Sequence, residues 1–150
     1  MSVCAFFGHK DSSWLVEHKL EILCEELIIN RQINMFYMGN NGNFDIMARR
    51  VVRKLKEKYP HINYYVVLAY HPTNRDGLDI AEYADTILPQ GIENSPPRYA
   101  IAWRNKWIVK QAEYVITNIT HNFGGAFQFA ELAKRKGKTV INIADDTTKT

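Results

Sequence analysis

Two glycine-bearing segments and one arginine are the residues in this sequence best placed to do chemistry. Phe123-Gly124-Gly125-Ala126-Phe127-Gln128-Phe129-Ala130-Glu131 follows an apolar run and opens a helical one. Glycines at such a junction let backbone N–H groups approach phosphate or ribose oxygens, and a helix N-terminus adds partial positive charge. Gly39-Asn40-Asn41-Gly42-Asn43-Phe44-Asp45 has a similar outline. It is neither GxGxxG nor a P-loop, because no Lys-Ser/Thr pair follows its second glycine. It does not fit a calcium loop either, since Asp45 is its one carboxylate. The plain role of Asp45 is to face the helix dipole from the first turn. Arg104 and Asn105 lie between Trp103 and Trp107. A guanidinium there can grip a phosphate or carboxylate as a fork, stack on an indole, or pair with an acid.

His9, His71 and His121 each fall near the end of an apolar run, yet no HxxxH or Cys–His cluster accompanies them, so no metal is expected. A Ser-His-Asp hydrolase is not expected, because no GxSxG elbow exists. Arg49, Arg50, Arg53, Lys54, Lys56 and Lys58 read as the wet face of a helix. A nucleic-acid groove would interleave aromatics with such charges.

These groups need elements to hold them. Val3–Phe7 reads as a buried strand ending at Gly8, and Ser12 or Ser13 can cap a helix carrying Val16, Leu20, Leu23 and Leu27 on one face. Asn34–Met38 is a second strand. Phe44, Met47, Val51 and Leu55 then make the face of a helix that Pro60 ends. Ile62–Tyr70 is a third strand, and Thr86–Leu88 a short one. Pro96-Pro97 suits the first turn of a helix running to about Ala112. Tyr114–Ile119, a helix with Ala126, Phe129, Ala130 and Ala133 inward, and Thr139–Ile143 complete the chain.

Strands alternating with helices predict one three-layer α/β, Rossmann-like domain over residues 1–150, with a mostly parallel sheet and helices on both faces. In such sheets ligands bind beyond the C-terminal strand ends. Four loops fall there: Gly8-His9-Lys10, Gly39-Asn40-Asn41-Gly42, His71-Pro72-Thr73 and Thr120-His121-Asn122-Phe123-Gly124-Gly125.

Length and composition agree with a single folded domain. At 150 residues and 17.4 kDa the chain can build a full core without staples. Its 46% hydrophobic and 23% charged content excludes long disorder and coiled-coil architecture. No apolar run is long enough to span a bilayer, and no basic head precedes an apolar stretch as in a secretory signal. Cys4 and Cys24, without a CxxC, read as reduced, buried thiols of a cytoplasmic protein. A net charge of +3 is too mild to announce a nucleic-acid binder.

Taken together, CAFFGHK, FYMGNNGNFD and RNKWIVKQAEYVI…HNFGGAFQFAELAKRKGKTVINI resemble the SLOG superfamily. Its branches include YpsA-like proteins, LOG phosphoribohydrolases and DprA-related DNA-processing proteins, and the likeness is nearest to the small YpsA-like branch. LOG enzymes hydrolyse the N-glycosidic bond of nucleoside 5′-monophosphates with an Arg on one helix and the Glu of PGGxGTxxE. The resemblance implies Arg104 and Glu131 for those catalytic roles, with Gly124 and Gly125 as the glycine pair. Here, however, the motif's Pro is Phe123, its Gly-Thr is Phe127-Gln128, and the Lys after the Arg is Asn105. A lost glycine and hydroxyl leave less room and one donor fewer for phosphate.

Binding of a nucleotide or nucleotide-derived ligand (a nucleoside phosphate, NAD or ADP-ribose type) is therefore the leading expectation. Its contacts would be Gly8, His9, Lys10, Gly39, Asn40, Asn41, Gly42, Asp45, Asn105, His121, Gly124, Gly125 and Gln128. N-glycoside hydrolysis or transfer is the alternative, and DprA-like single-strand binding ranks third, since the mild charge argues against nucleic acid. No cofactor and no membrane partner are expected. A homodimer or higher oligomer is, with the Trp103/Trp107 helix as its interface unless both indoles are core.

Overall fold

The computed structural model describes residues 2–70 and 85–144. Six strands form the sheet: β1 (Val3–Gly8), β2 (Met35–Met38), β3 (Asn63–Val67), β4 (Thr86–Ile87), β5 (Tyr114–Asn118) and β6 (Thr139–Asn142). Their order is β4-β3-β2-β1-β5-β6, and every pairing is parallel. Among the described residues four helices cover it: α1 (Glu17–Asn30), α2 (Asn43–Lys58), α3 (Ala100–Gln111) and α4 (Gly125–Arg135). This is the expected three-layer α/β, Rossmann-like architecture, with a sheet that is wholly rather than mostly parallel.

The apolar run of β1 follows from its central position. Cys4 and Phe6 point into the layer shared with α1 and α2, beside Phe36, Leu20, Phe44 and Met47. Val3, Ala5 and Phe7 point into the layer shared with α3 and α4, beside Ile108, Phe129 and Ala133. A strand buried on both faces has no polar side to alternate with. Both thiols are free and fully buried, and burial raises their pKa values.

Boundaries differ locally from expectation. Ser13 does cap, accepting from the Leu15 N–H, but it caps a 3-10 turn, Trp14–Val16, that precedes α1. Pro97 likewise opens a 3-10 turn, Pro97–Tyr99, before α3 begins at Ala100. The third strand stops at Val67 rather than Tyr70, because its outer neighbour β4 is two residues long. The loop His71-Pro72-Thr73 lies outside the described residues.

Strand order reverses between β1 and β5, so the loops after those two strands flank the switch point where doubly wound folds take ligands. The loop after β2 is drawn to the same place. Phe44, the second residue of α2, packs directly against Gly8, where a Cβ would fall 2.3 Å from its ring. The amide of Asn43 donates to the Lys10 carbonyl at 2.8 Å, and the Asn43 side chain donates to the Ser12 carbonyl at 3.1 Å.

Gly8→Ala must push the fully buried Phe44 aside, an overpacking cost of about 1–3 kcal/mol. Thermal unfolding should show Tm lowered by about 2–4 °C per kcal/mol. Gly125→Ala, with nothing within 4 Å of the added methyl, should leave Tm unchanged or raised. Equal melting of Gly8→Ala and wild type would contradict the close contact.

Candidate functional site

A cavity of about 340 Å³ opens at the C-terminal edge of the sheet, over the switch point. The end of β1 and the loop after it contribute Gly8, His9, Lys10 and Asp11, the loop after β2 contributes Gly39 and Asn41, and the first turn of α2 contributes Asp45. Arg104, Asn105 and Ile101 enter from α3, while His121, Gly124, Gly125 and Ala126 enter from the β5–α4 junction. Most of the residues singled out in the sequence are thus brought together.

Arg104 is the deepest of them, 2% exposed. Its Nε donates to Asn105 Oδ1 at 2.7 Å, and one terminal nitrogen donates to the Val67 carbonyl at 2.8 Å and to Asn40 Oδ1 at 3.3 Å. Burial lowers its pKa, and the neighbouring Asp45 charge opposes that shift. Burial raises the pKa of Asp45, countered by Arg104 and by the amides of Asn41 and Gly39. The Asn41 amide donates to Asp45 Oδ2 at 2.9 Å. Gly39 lies beneath both groups, with its missing Cβ 3.0 Å from each. So Arg104, Asn105, Asn40 and Asp45 form one connected polar cluster at the cavity's base.

The opposite wall is aromatic. His9 stacks on His121 with ring centroids 3.7 Å apart, and His121 stacks on Phe123 at 4.0 Å. His9 is buried, and its Nε2 accepts from the Thr120 amide at 3.1 Å, which places its proton on Nδ1. Burial lowers the His9 pKa, His121 lowers it further, and Asp11 acts the other way. The Nδ1 of His121 is shut from solvent without a partner among the described residues. Phe123 closes the stack, 68% exposed at the rim. Directly after it, Gly124 at φ 93° turns the chain into α4, whose first residues have open space above them.

Four of the expected residues do not line the cavity. Asn40 is exposed and reaches it only through its bond to Arg104. Gly42 does not line the cavity but packs on the Lys10 backbone at φ 115°. Glu131 and Gln128 line a separate surface groove with Ala102, Lys106 and Arg135, and Glu131 pairs with Lys134 at 3.0 Å. Phe129, Ala130 and Ala133 take the core face of α4, which turns the side chains at 128 and 131 outward. The structure therefore does not bring Glu131 and Arg104 into one cavity. Among the described residues no cluster of three metal-ligating side chains occurs. The indoles of α3 are half-buried: Trp107 packs against Tyr37, and Trp103 packs against Ile92 and Ala100. Sequence reading missed Asp11, Ile101, Ala126 and, above all, the stack, because no spacing rule shows that residues 9 and 121 meet.

Neither a family model nor a curated protein matches this sequence. Solved structures do. DNA processing protein A (DprA) from Streptococcus pneumoniae superposes with a TM-score of 0.69 at 15% identity, covering 93% of this chain and 49% of that one. DprA from Helicobacter pylori, in a study of its single-stranded DNA binding mode, gives 0.64 at 15% identity, covering 93% and 63%. The chain thus spans about half of the first and under two thirds of the second. These likenesses show the fold alone, a DprA-like Rossmann-like one, and do not single out the YpsA-like branch.

The argument against nucleic acid has to be corrected. A neighbour described by its single-stranded DNA binding carries this fold, so mild net charge is no ground for exclusion. Net charge is a sum over the surface, and a strand responds to local charge. Much of the basic face of α2 is already neutralised, since Arg50, Lys54 and Lys58 pair with Glu17, Glu21 and Glu25 of α1. Also among the described residues, no helix is long and apolar enough to cross a membrane.

Two outcomes follow. Arg104→Ala leaves three acceptors without their donor and the Asp45 charge without its positive neighbour, and should destabilise by about 3–5 kcal/mol. Arg104→Lys should recover little, because an ammonium cannot reproduce the fork; urea unfolding would measure both. As for His9, its folded pKa lies below the unfolded one, so the unfolded chain binds more protons in the window between them. Stability is complete above the unfolded value, about 6.5, and is lost as pH falls through the folded value. His9→Gln should flatten that acid-side decline in unfolding free energy.

Proposed function

We propose that this chain binds single-stranded nucleic acid at the C-terminal edge of its sheet, seating one nucleotide unit there. The observation that carries this reading is the stack His9–His121–Phe123, with its exposed outer ring directly preceding the glycine pair that opens α4. An exposed aromatic face takes any base, and the free amides of a helix N-terminus take a phosphate. Lys10 is exposed on the cavity wall, where it can meet the next phosphate. Fold likeness to DprA supports the same reading.

A second reading rests on the cavity's size. About 340 Å³ falls within the range of small-molecule sites, so a free nucleotide or nucleotide-derived ligand, including one made from NAD, can occupy the same groups. In that reading Arg104 and Asn105 stand behind the ligand phosphate. Hydrolysis is the least supported, because Glu131 lies outside this cavity. Two buried, free thiols fit a cytoplasmic setting.

Fluorescence anisotropy with labelled oligothymidine at low and moderate salt tests the strand reading. Phe123→Ala should weaken binding roughly fivefold to 150-fold, since one stacked base is worth about 1–3 kcal/mol. Lys10→Ala should lower the salt slope by about 0.7, the share of one single-strand phosphate. Oligonucleotide titrations flat at low salt, alongside saturable binding of a mononucleotide or ADP-ribose, would overturn strand binding in favour of the second reading.

A further inference from the structure

A second cavity, of about 580 Å³, lies on the other side of the histidine pair. His9, His121 and Asp11 line both cavities, so the stacked imidazoles form a partition between them. Val16 and the buried Ile143 give the second cavity apolar walls, and Leu15, 91% exposed, stands at its rim. Such a size and an apolar lining with few polar groups are those of a small-molecule site.

One polar group in this cavity is idle. Ile116 of β5 points into the layer shared with α1 and α2, and Asn118, two residues on, leaves the sheet on the same face. Asn118 is 3% exposed and lines the cavity, yet among the described residues its side-chain amide has no hydrogen-bond partner. The other buried polar side chains of that wall are engaged: the Ser12 hydroxyl donates to the His9 carbonyl at 2.6 Å, and His9 Nε2 accepts from the Thr120 amide. Asn142, on the neighbouring strand, is engaged as well. It accepts from the amides of Ile119 and Ala144 and donates to the Ile119 carbonyl. Asn142 braces the edge of the sheet, whereas Asn118 braces nothing. A buried amide left unpaired destabilises the free fold, and one turned into an open cavity is placed to be satisfied by what enters it.

We propose that this cavity is a base-reading subsite, in which the Asn118 amide pairs with the adenine of a nucleotide neighbouring the one seated in the first cavity. A carboxamide sets a donor beside an acceptor, so its complement is a planar edge with the same two groups reversed. Adenine presents that pair on its Watson–Crick edge and again on its Hoogsteen edge, as N6–H beside N7; no other base does so on the Hoogsteen edge. Val16 and Ile143 offer apolar surface to the ring. The inference rests on the strand reading for the source of the base. A free adenine nucleotide carries the same chemistry, and the two sources separate in the test.

Fluorescence anisotropy would compare an alternating dC–dA oligomer with the same oligomer carrying purine, which lacks the 6-amino donor, in place of adenine. The adenine form should bind roughly fivefold to 150-fold tighter, the worth of one bidentate amide–base pair. Asn118→Leu, close in size but without the amide, should bind both oligomers alike. Any advantage that comes from ring stacking is common to the two and cancels. The free Asn118→Leu protein should melt no lower than wild type, because it loses an amide that bonds to nothing.

Equal affinity for the two oligomers, or a preference that survives Asn118→Leu, would overturn the base-reading subsite and leave strand binding standing. A clear fall in Tm for Asn118→Leu would make Asn118 a structural brace and would overturn it too. Oligomers that stay unbound at low salt, with AMP bound and weakened by Asn118→Leu, would support the subsite, place its base on a free nucleotide and sink the strand reading. If none of these probes binds, both fall.

Discussion

The burial of one positive charge organises the functional edge of this protein. Arg104 sits 2% exposed on α3, and a guanidinium in that position is tolerable only when its donors are met and a negative charge stands near. The acceptors come from three places in the chain: Asn105 beside it, the carbonyl of Val67 at the end of β3, and Asn40 after β2. Asp45 supplies the charge from the first turn of α2. Satisfying one side chain therefore fixes the relative positions of α3, the β3 terminus and the β2–α2 loop. Gly39 is a glycine for the same reason, since any Cβ would press on the guanidinium and the carboxylate together.

A second constraint registers the other half of the edge. Phe44 can rest on β1 only because residue 8 has no side chain, and that contact holds the start of α2 against the strand carrying His9. His9 in turn is held by the Thr120 amide and stacked on His121, which brings the β5–α4 junction into the same cavity. The cavity is thus the meeting place of two locked pairs of loops. Its base is polar and its outer wall aromatic.

How much of this was legible in the sequence depended on the range of the signal. Apolar runs and helical spacings are local, so the α/β alternation, the parallel sheet and the convergence of the glycine loops could be read from them. The stack could not, because His9 and His121 are far apart in sequence and each looks ordinary alone. Glu131 misled for a different reason. Its spacing from the glycine pair fits a known motif, but Phe129, Ala130 and Ala133 claim the core face of α4 and rotate Glu131 into another groove. Motif spacing fixes which face of a helix a residue shares; packing decides where that face points.

Charge shows the same limit. The +3 sum treats every lysine and arginine alike, whereas the structure sorts them. Arg50, Lys54 and Lys58 stand at intervals of four on α2, opposite Glu17, Glu21 and Glu25 at intervals of four on α1, and each pair is closed within the chain. Surface pairs of this kind add little to stability. Their effect is on what remains: the cation-rich face of α2 loses much of its outward field, and so do Glu17, Glu21 and Glu25 of α1. Lys10 and the open amides of α4, though far fewer, face a cavity with low-dielectric walls, where a single charge or dipole counts for more than several in open solvent. Under the proposed reading, the placement of a few groups at this edge counts for more than the total charge.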